Sequence, residues 1–273
     1  MKSTYLVVDM NFLRLEALRN QLRAQPEVRL VLPDLAMFEI AKSSNRELTL
    51  KLSLDIIAQE PNRVFVSRAV SDCLSYELSR KAAVVGHLLD REATIFLRKL
   101  LSAVATGIRN AEYDQVIDDP QNYLSGMKRD YLDDSLNKTR SLQLVDVTKR
   151  VMTPEFANRL RGSRVGTAEK INFVYEKAQS LLVDVLKENG FSHEKAICLR
   201  RQKSMILRYF YVKLWACLSW EEQGRIENIN AGKVTNDLID HEYVLAATFF
   251  NGVLSNDKAV SDAYAAVSQL LTR

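Results

Sequence analysis

A chain of 273 residues that is 47% hydrophobic and carries a formal net charge of +4 can bury an ordinary core without staples, and its charge is a mild bias towards anionic partners. Its three cysteines, Cys73, Cys198 and Cys217, are odd in number and lack CxxC spacing. Neither a disulfide framework nor a structural zinc site is expected, and a reducing, cytoplasmic location is.

Lys2 precedes only the short apolar run Tyr5 to Val8, too little for the hydrophobic region of a signal peptide. Thr4 to Val8 is β-branched and apolar and ends at Asp9, the pattern of a buried parallel strand before its loop. A helix is expected over about 12–24, with Leu15, Leu18 and Leu22 at helical spacing, stopping near Pro26. Val28 to Leu32 reads as a strand or extended segment, and Pro33 and Asp34 suit the first turn of a helix running through Glu39 and Ala41. Leu48 to Gln59 reads as helix and Arg63 to Ser67 as strand. Residues 70–109 read mainly as helix, and 110–126 as a polar loop marked by Asp118, Asp119 and Pro120.

Leu142 to Val147 is a further candidate strand, and Gly162, Ser163 and Gly166 mark an arginine-rich joint. Two long helices, about 167–189 and 192–222, are expected next. The most apolar stretch, Met205 to Leu218, is broken by Arg208 and Lys213, so no membrane span is expected. From about Lys233 come helical Leu238 to Phe250, a break at Gly252, a short strand Val253 to Ser255 ending at Asn256 and Asp257, and a last helix to Leu271. The implied architecture is α/β, with a core formed from residues 1–69 and 228–273, to which parts of 141–190 are a candidate addition. A mainly helical insertion over 70–227 interrupts it.

In an open parallel sheet, ligands bind beyond the carboxyl ends of the strands, and Asp9 and Asp257 both stand directly after apolar strands. Asn11 and Asn256 lie close by and could hold a carboxylate or a water. Glu39 lies in the helix opened by Pro33, and Asp237 and Asp240, three apart, share a helical face. Carboxylates gathered in one pocket repel each other, so such a cluster implies a divalent cation, and oxygen ligands favour Mg2+ or Mn2+.

The strand-Asp9-x-Asn11 start, Leu32-Pro33-x5-Glu39, Asn236-Asp237-x2-Asp240-x-Glu242 and Leu254-Ser255-Asn256-Asp257 resemble, in order, the four acidic motifs of PIN-domain nucleases. The likeness covers roughly the first 60 and last 45 residues. It implies a three-layer α/β/α fold with a central, mostly parallel sheet, and metal-dependent hydrolysis of phosphodiester bonds, RNA favoured over DNA. Asp9, Glu39, Asp240 and Asp257 would be the catalytic acids. Asp237 and Glu242 are further candidate ligands, since Glu242 takes the third acidic position in a strict alignment of Ala246-Ala247-Thr248, and Asn236 is a supporting residue. The family includes ribonuclease toxins, so a toxin or defence effector is one expected role, with an antitoxin or a second copy of the chain as partner.

Between Lys195 and Lys213 there are six basic residues and no acidic one. On one continuous helix at about 100° per residue, Arg200, Arg201, Ser204, Arg208, Tyr211 and Trp215 share a face. Guanidiniums alternating with rings suit single-stranded nucleic acid, while a partly solvated helix packing Tyr211 and Trp215 on a neighbour is the structural alternative. A haloacid-dehalogenase-like phosphohydrolase is the enzymatic rival, weakened because Asn11 stands where its second aspartate would be. A non-catalytic nucleic-acid-binding relative is the third reading. His87, His193 and His241 are not expected to be ligands, and no GxSxG, GK[ST] or HExxH string occurs.

Overall fold

Parallel strands need a crossover between them, and the N-terminal strands are joined by two. In this computed structural model, which describes residues 3–84, 86, 88–120, 122–123, 133–224 and 226–273, β1 (Thr4–Val8) leads through α1 (Glu16–Ala24) to β2 (Val28–Leu32). β2 leads through α2 (Asp34–Ala41) and α3 (Arg46–Ala58) to β3 (Val64–Ser67). After α4 (Val70–Arg80) come β4 (Leu89–Asp90), α5 (Arg91–Thr106) and α6 (Ala111–Ile117). The remaining elements are α7 (Asp134–Arg150), α8 (Pro154–Arg161), α9 (Thr167–Glu188), α10 (His193–Arg201), α11 (Met205–Glu222), α12 (Ala231–Ala247), β5 (Val253–Leu254) and α13 (Lys258–Thr272).

The five strands form one mixed sheet in the order β4-β3-β2-β1-β5. Among the described residues, three pairings are parallel and one, β3 with β4, is antiparallel. Val7 and Val8 are fully buried, as are Leu30, Val31 and Leu32. Consecutive strand residues point to opposite faces, so both faces of the sheet centre are covered, as a layered α/β fold requires.

The chain divides into two compact units. The first is Met1–Ala69, His87–Arg129 and Phe249–Ser261; the second is Val70–Gly86, Asp130–Thr248 and Asp262–Arg273. Residues 87–129, expected in the insertion, belong with the sheet because α5 packs on β3 and α3, burying Leu97, Leu100 and Leu101. Residues 231–248, expected in the sheet domain, belong with the second unit, where α12 packs on α7. The centre of that unit is α11, packed by α9, α12, α4, α8 and α7. It is buried nearly all round, as an interior helix is.

Three local expectations are corrected. Leu142 to Val147 lies inside α7, not in a strand. Asp133 caps that helix through Leu136 N–H, and Asp134 at its start and Lys149 and Arg150 at its end suit the macrodipole. Part of the expected loop 110–126 is α6, capped by Asn110. The expected helix over 192–222 is two helices: α10 ends, Lys203 turns at φ 51, and Ser204 caps α11. Lys2, His87 and residues 124–126 lie outside the described residues. Among the described residues, no helix is long and apolar enough to cross a membrane.

Candidate functional site

The sheet order places β2 on one side of β1 and β5 on the other, so the crevice past the carboxyl ends of β1 and β5 is the switch point where open α/β sheets bind ligands. Gly252 lets β5 approach: a Cβ there would meet Leu6 Cδ2 at 3.2 Å. Val7 N–H donates to Gly252 O and Asp9 N–H to Leu254 O, both at 2.9 Å.

Asp9 ends β1 in this crevice. Its carbonyl accepts from Phe12 N–H at 2.9 Å and Leu13 N–H at 3.2 Å, opening the turn that follows. The residue is 4% exposed. Oδ1 accepts from Asn11 N–H at 3.2 Å and Oδ2 from Ser255 Oγ at 2.7 Å. Ser255 Oγ in turn accepts from Asp257 N–H at 3.0 Å, so one hydroxyl ties the two strand-end acids together. Asp257 is exposed, and its Oδ1 accepts from Ala259 N–H at 2.6 Å, opening α13.

The contact of Asn11 with Asp9 is made by its backbone N–H. Its side chain is exposed, as is that of Asn256. Ser255 is the residue contacting Asp9 that sequence reasoning missed. It stands inside the quoted motif, but its bond to Asp9 spans 246 positions and exists only because β5 pairs with β1.

Glu39 is half-buried on α2, where Leu35, Ala36, Met37, Phe38, Ile40 and Ala41 are buried. The register pairs Val7 with Val31, which puts Pro33 level with Asp9 and makes Asp34, at the head of α2, the acid of that segment nearest the sheet edge in sequence. The negative charge of Asp34 adds to burial in raising Tyr123.

Among the described residues, no group of three or more His, Cys, Asp or Glu side chains is set to hold a metal ion. The donors that are present fit a hydrated hard cation rather than a fully chelated one. Asp9 has no cation partner among the described residues, and its two hydrogen bonds leave acceptor positions open on a carboxylate. Mg2+ keeps several waters and is commonly held by one or two carboxylates plus substrate phosphates.

In the second unit, Asp237 accepts from Trp220 Nε1 at 2.8 Å and from Lys233 Nζ at 3.1 Å. Asp240 is half-buried, Glu242 is 7% exposed, and Asn236 is exposed. His241 Nδ1 is buried without a hydrogen-bond partner among the described residues. Its ring lies 5.6 Å from that of Trp220. Burial, with Lys213 and Lys233 adding to it, holds His241 well below its ordinary value, as suits a neutral packed imidazole.

The expected basic and aromatic stripe does not lie on one continuous helix, because the break at Gln202 to Ser204 puts Arg200 and Arg201 on α10 and Arg208, Tyr211 and Trp215 on α11. Arg208 is turned inward. It donates from Nε to Lys203 O at 2.7 Å and from Nη1 to Thr248 O. Burial brings it down to about 10 against the pull of Glu77. Trp215 is half-buried on α11. Arg200, Arg201 and Tyr211 do line a common cavity. Comparison with protein-family models, curated proteins and solved structures finds no match to this chain.

Proposed function

We propose that this chain is a PIN-like nuclease that uses Mg2+ or Mn2+ to hydrolyse phosphodiester bonds, with single-stranded RNA as substrate. The observation that carries the reading is Asp9, a buried carboxylate at the switch point of a mostly parallel sheet, held by two neutral donors and joined through Ser255 to Asp257. When bound, the ion would supply a more acidic water and stabilisation of charge on the scissile phosphate.

The chain's own residues supply position. The Ser255 hydroxyl and Asn11 N–H fix the orientation of the Asp9 carboxyl group, and the pairing of β5 with β1 fixes Ser255. Asp257, exposed at the same crevice, offers the second carboxylate. Glu39 is the acid of α2 in this reading. By the likeness in motif order, Asp237, Asp240 and Glu242 on α12 stay open as the source of a further acid.

The test is an assay of single-stranded RNA, single-stranded DNA and p-nitrophenyl phosphate side by side, with Mg2+, with Mn2+ and with excess EDTA. RNA cleavage that needs the ion supports the reading. Turnover in EDTA, or none of RNA with either ion, overturns it. Turnover confined to p-nitrophenyl phosphate would favour the phosphohydrolase.

A further inference from the structure

We infer that a cavity of about 560 Å³ in the second unit, walled by Arg200, Arg201, Lys203, Arg273, Tyr175 and Tyr211, binds a phosphorylated nucleoside. The inference does not depend on the nuclease reading. The volume lies within the roughly 300–1,000 Å³ usual for small-molecule pockets and is far more than a bare phosphate fills.

The lining side chains bring four cations against one carboxylate, Glu176. Two other arginines of this unit are paired, Arg159 with Glu169 and Arg161 with Glu221. Among the described residues neither Arg200 nor Arg201 has a carboxylate partner, so two guanidiniums stay available for the bidentate recognition of phosphate oxygens that suits their planar fork.

A flat apolar surface stands beside these charges. The rings of Tyr175 and Tyr211 stack with centroids 6.5 Å apart and 16° between their planes. Tyr211 is buried, Tyr175 is half-buried, and the Arg273 guanidinium sits 5.5 Å from the Tyr175 ring centre. Tyr175 is thus the ring on which a base can stack beside a cation. Gln179 Nε2 donates to Tyr211 Oη at 3.2 Å, leaving the phenolic hydrogen to donate to a ligand. Burial pushes that hydroxyl up to about 12 against the pull of Gln179, Arg200 and Arg273, so it keeps its hydrogen at neutral pH.

Lys203 is held on the wall by its backbone and its side chain. Its φ of 51 lies in the left-handed region that favours glycine, and its Nζ donates to Leu271 O. A phosphate held by cations and a ring stacked on tyrosine together describe a nucleotide, either free or as the end of an RNA strand.

The test is calorimetric titration of the full chain in EDTA with adenosine 5′-monophosphate, a 5′-phosphorylated tetranucleotide, adenosine and inorganic phosphate. The expected result is that a phosphorylated nucleoside, free or in the strand, binds at least tenfold more tightly than adenosine or phosphate, and more weakly as salt rises. Tighter binding of the monophosphate identifies a free nucleotide as the ligand; tighter binding of the tetranucleotide identifies a strand end. Replacing Arg200 and Arg201 together by Gln should weaken binding at least tenfold, Tyr175→Ala should do likewise, and Tyr175→Phe should not. Phosphate binding as tightly as the monophosphate, unaltered affinity in the double variant, or no binding of either phosphorylated ligand at millimolar concentration overturns the proposal. EDTA removes any metal-dependent cleavage, so loss of the nuclease reading leaves this test intact.

Discussion

Glu77 and Glu221 in the helical unit and Asp9 in the sheet unit are buried carboxylates held in different ways. The first two meet positive charge from the chain. Glu77, fully buried, accepts from Val84, Met205 and Ile206 N–H at 2.8–3.0 Å and so closes the first turn of α11. Burial raises its carboxyl, while the three N–H groups and Arg208 pull it down. Glu221, 2% exposed, meets Lys149 at 3.1 Å and Arg161 at 3.4 Å. In the sheet unit Asp9 is nearly as buried yet has two neutral donors and no cation among the described residues. Glu77 and Glu221 thus meet positive charge from within the chain, whereas Asp9 is held by neutral donors.

The sharpest break of this comparison is at Glu77. Glu77→Ala orphans three buried N–H groups and removes the carboxylate facing Arg208, and should cost about 3–5 kcal/mol, the range for breaking a buried charged network. Urea unfolding measures it, and a loss below about 1 kcal/mol would mean that the network contributes little.

Lys149→Met should cost roughly 1–3 kcal/mol by leaving Glu221 half-compensated. Burial pulls Lys149 down, but hydrogen bonding and attraction from Glu227 and Glu221 together hold it above its ordinary value, so the lysine carries its charge when the change is made. Asp9→Asn should behave in the opposite way. It keeps the shape, removes an uncompensated charge, and should leave metal-free stability within about 1 kcal/mol of the parent or above it.

The smallest effect concerns alkali. Burial pushes the Cys217 thiol from 9.0 to about 12, so between those values the unfolded chain releases this proton and the native chain keeps it. Stability should therefore fall as pH rises through that window, by at most about 1.4 kcal/mol per pH unit from this group. Cys217→Ser should flatten the slope measured by thermal unfolding, and an unchanged slope would assign it to other groups.

The strands were legible wherever an apolar run met a sharp boundary. Thr4–Val8 before Asp9 and Val28–Leu32 before Pro33 are strands to the residue. Leu142 to Val147 misled because a few alternating residues look alike in either periodicity, and the decision rests on the cap at Asp133 and the length of α7. The single-helix placement of the basic and aromatic residues misled for a related reason. It assumed a continuous helix across Lys203, while the signal that breaks it, Ser204 as a cap, sits among residues that otherwise favour helix. Asp9 and Asp257 could be read as strand-end acids, but their link through Ser255 depends on β5 pairing with a strand nearly the whole chain away.

The central claim is tested most directly by titrating Mn2+ into the parent and the Asp9→Asn protein and following thermal unfolding together with RNA cleavage. The account predicts that Mn2+ stabilises the parent, by about 2.7 kcal/mol at a hundredfold excess over its dissociation constant, and switches on cleavage, while Asp9→Asn shows neither response. An Asp9→Asn protein that is stabilised by Mn2+ and cleaves RNA as the parent does would contradict it.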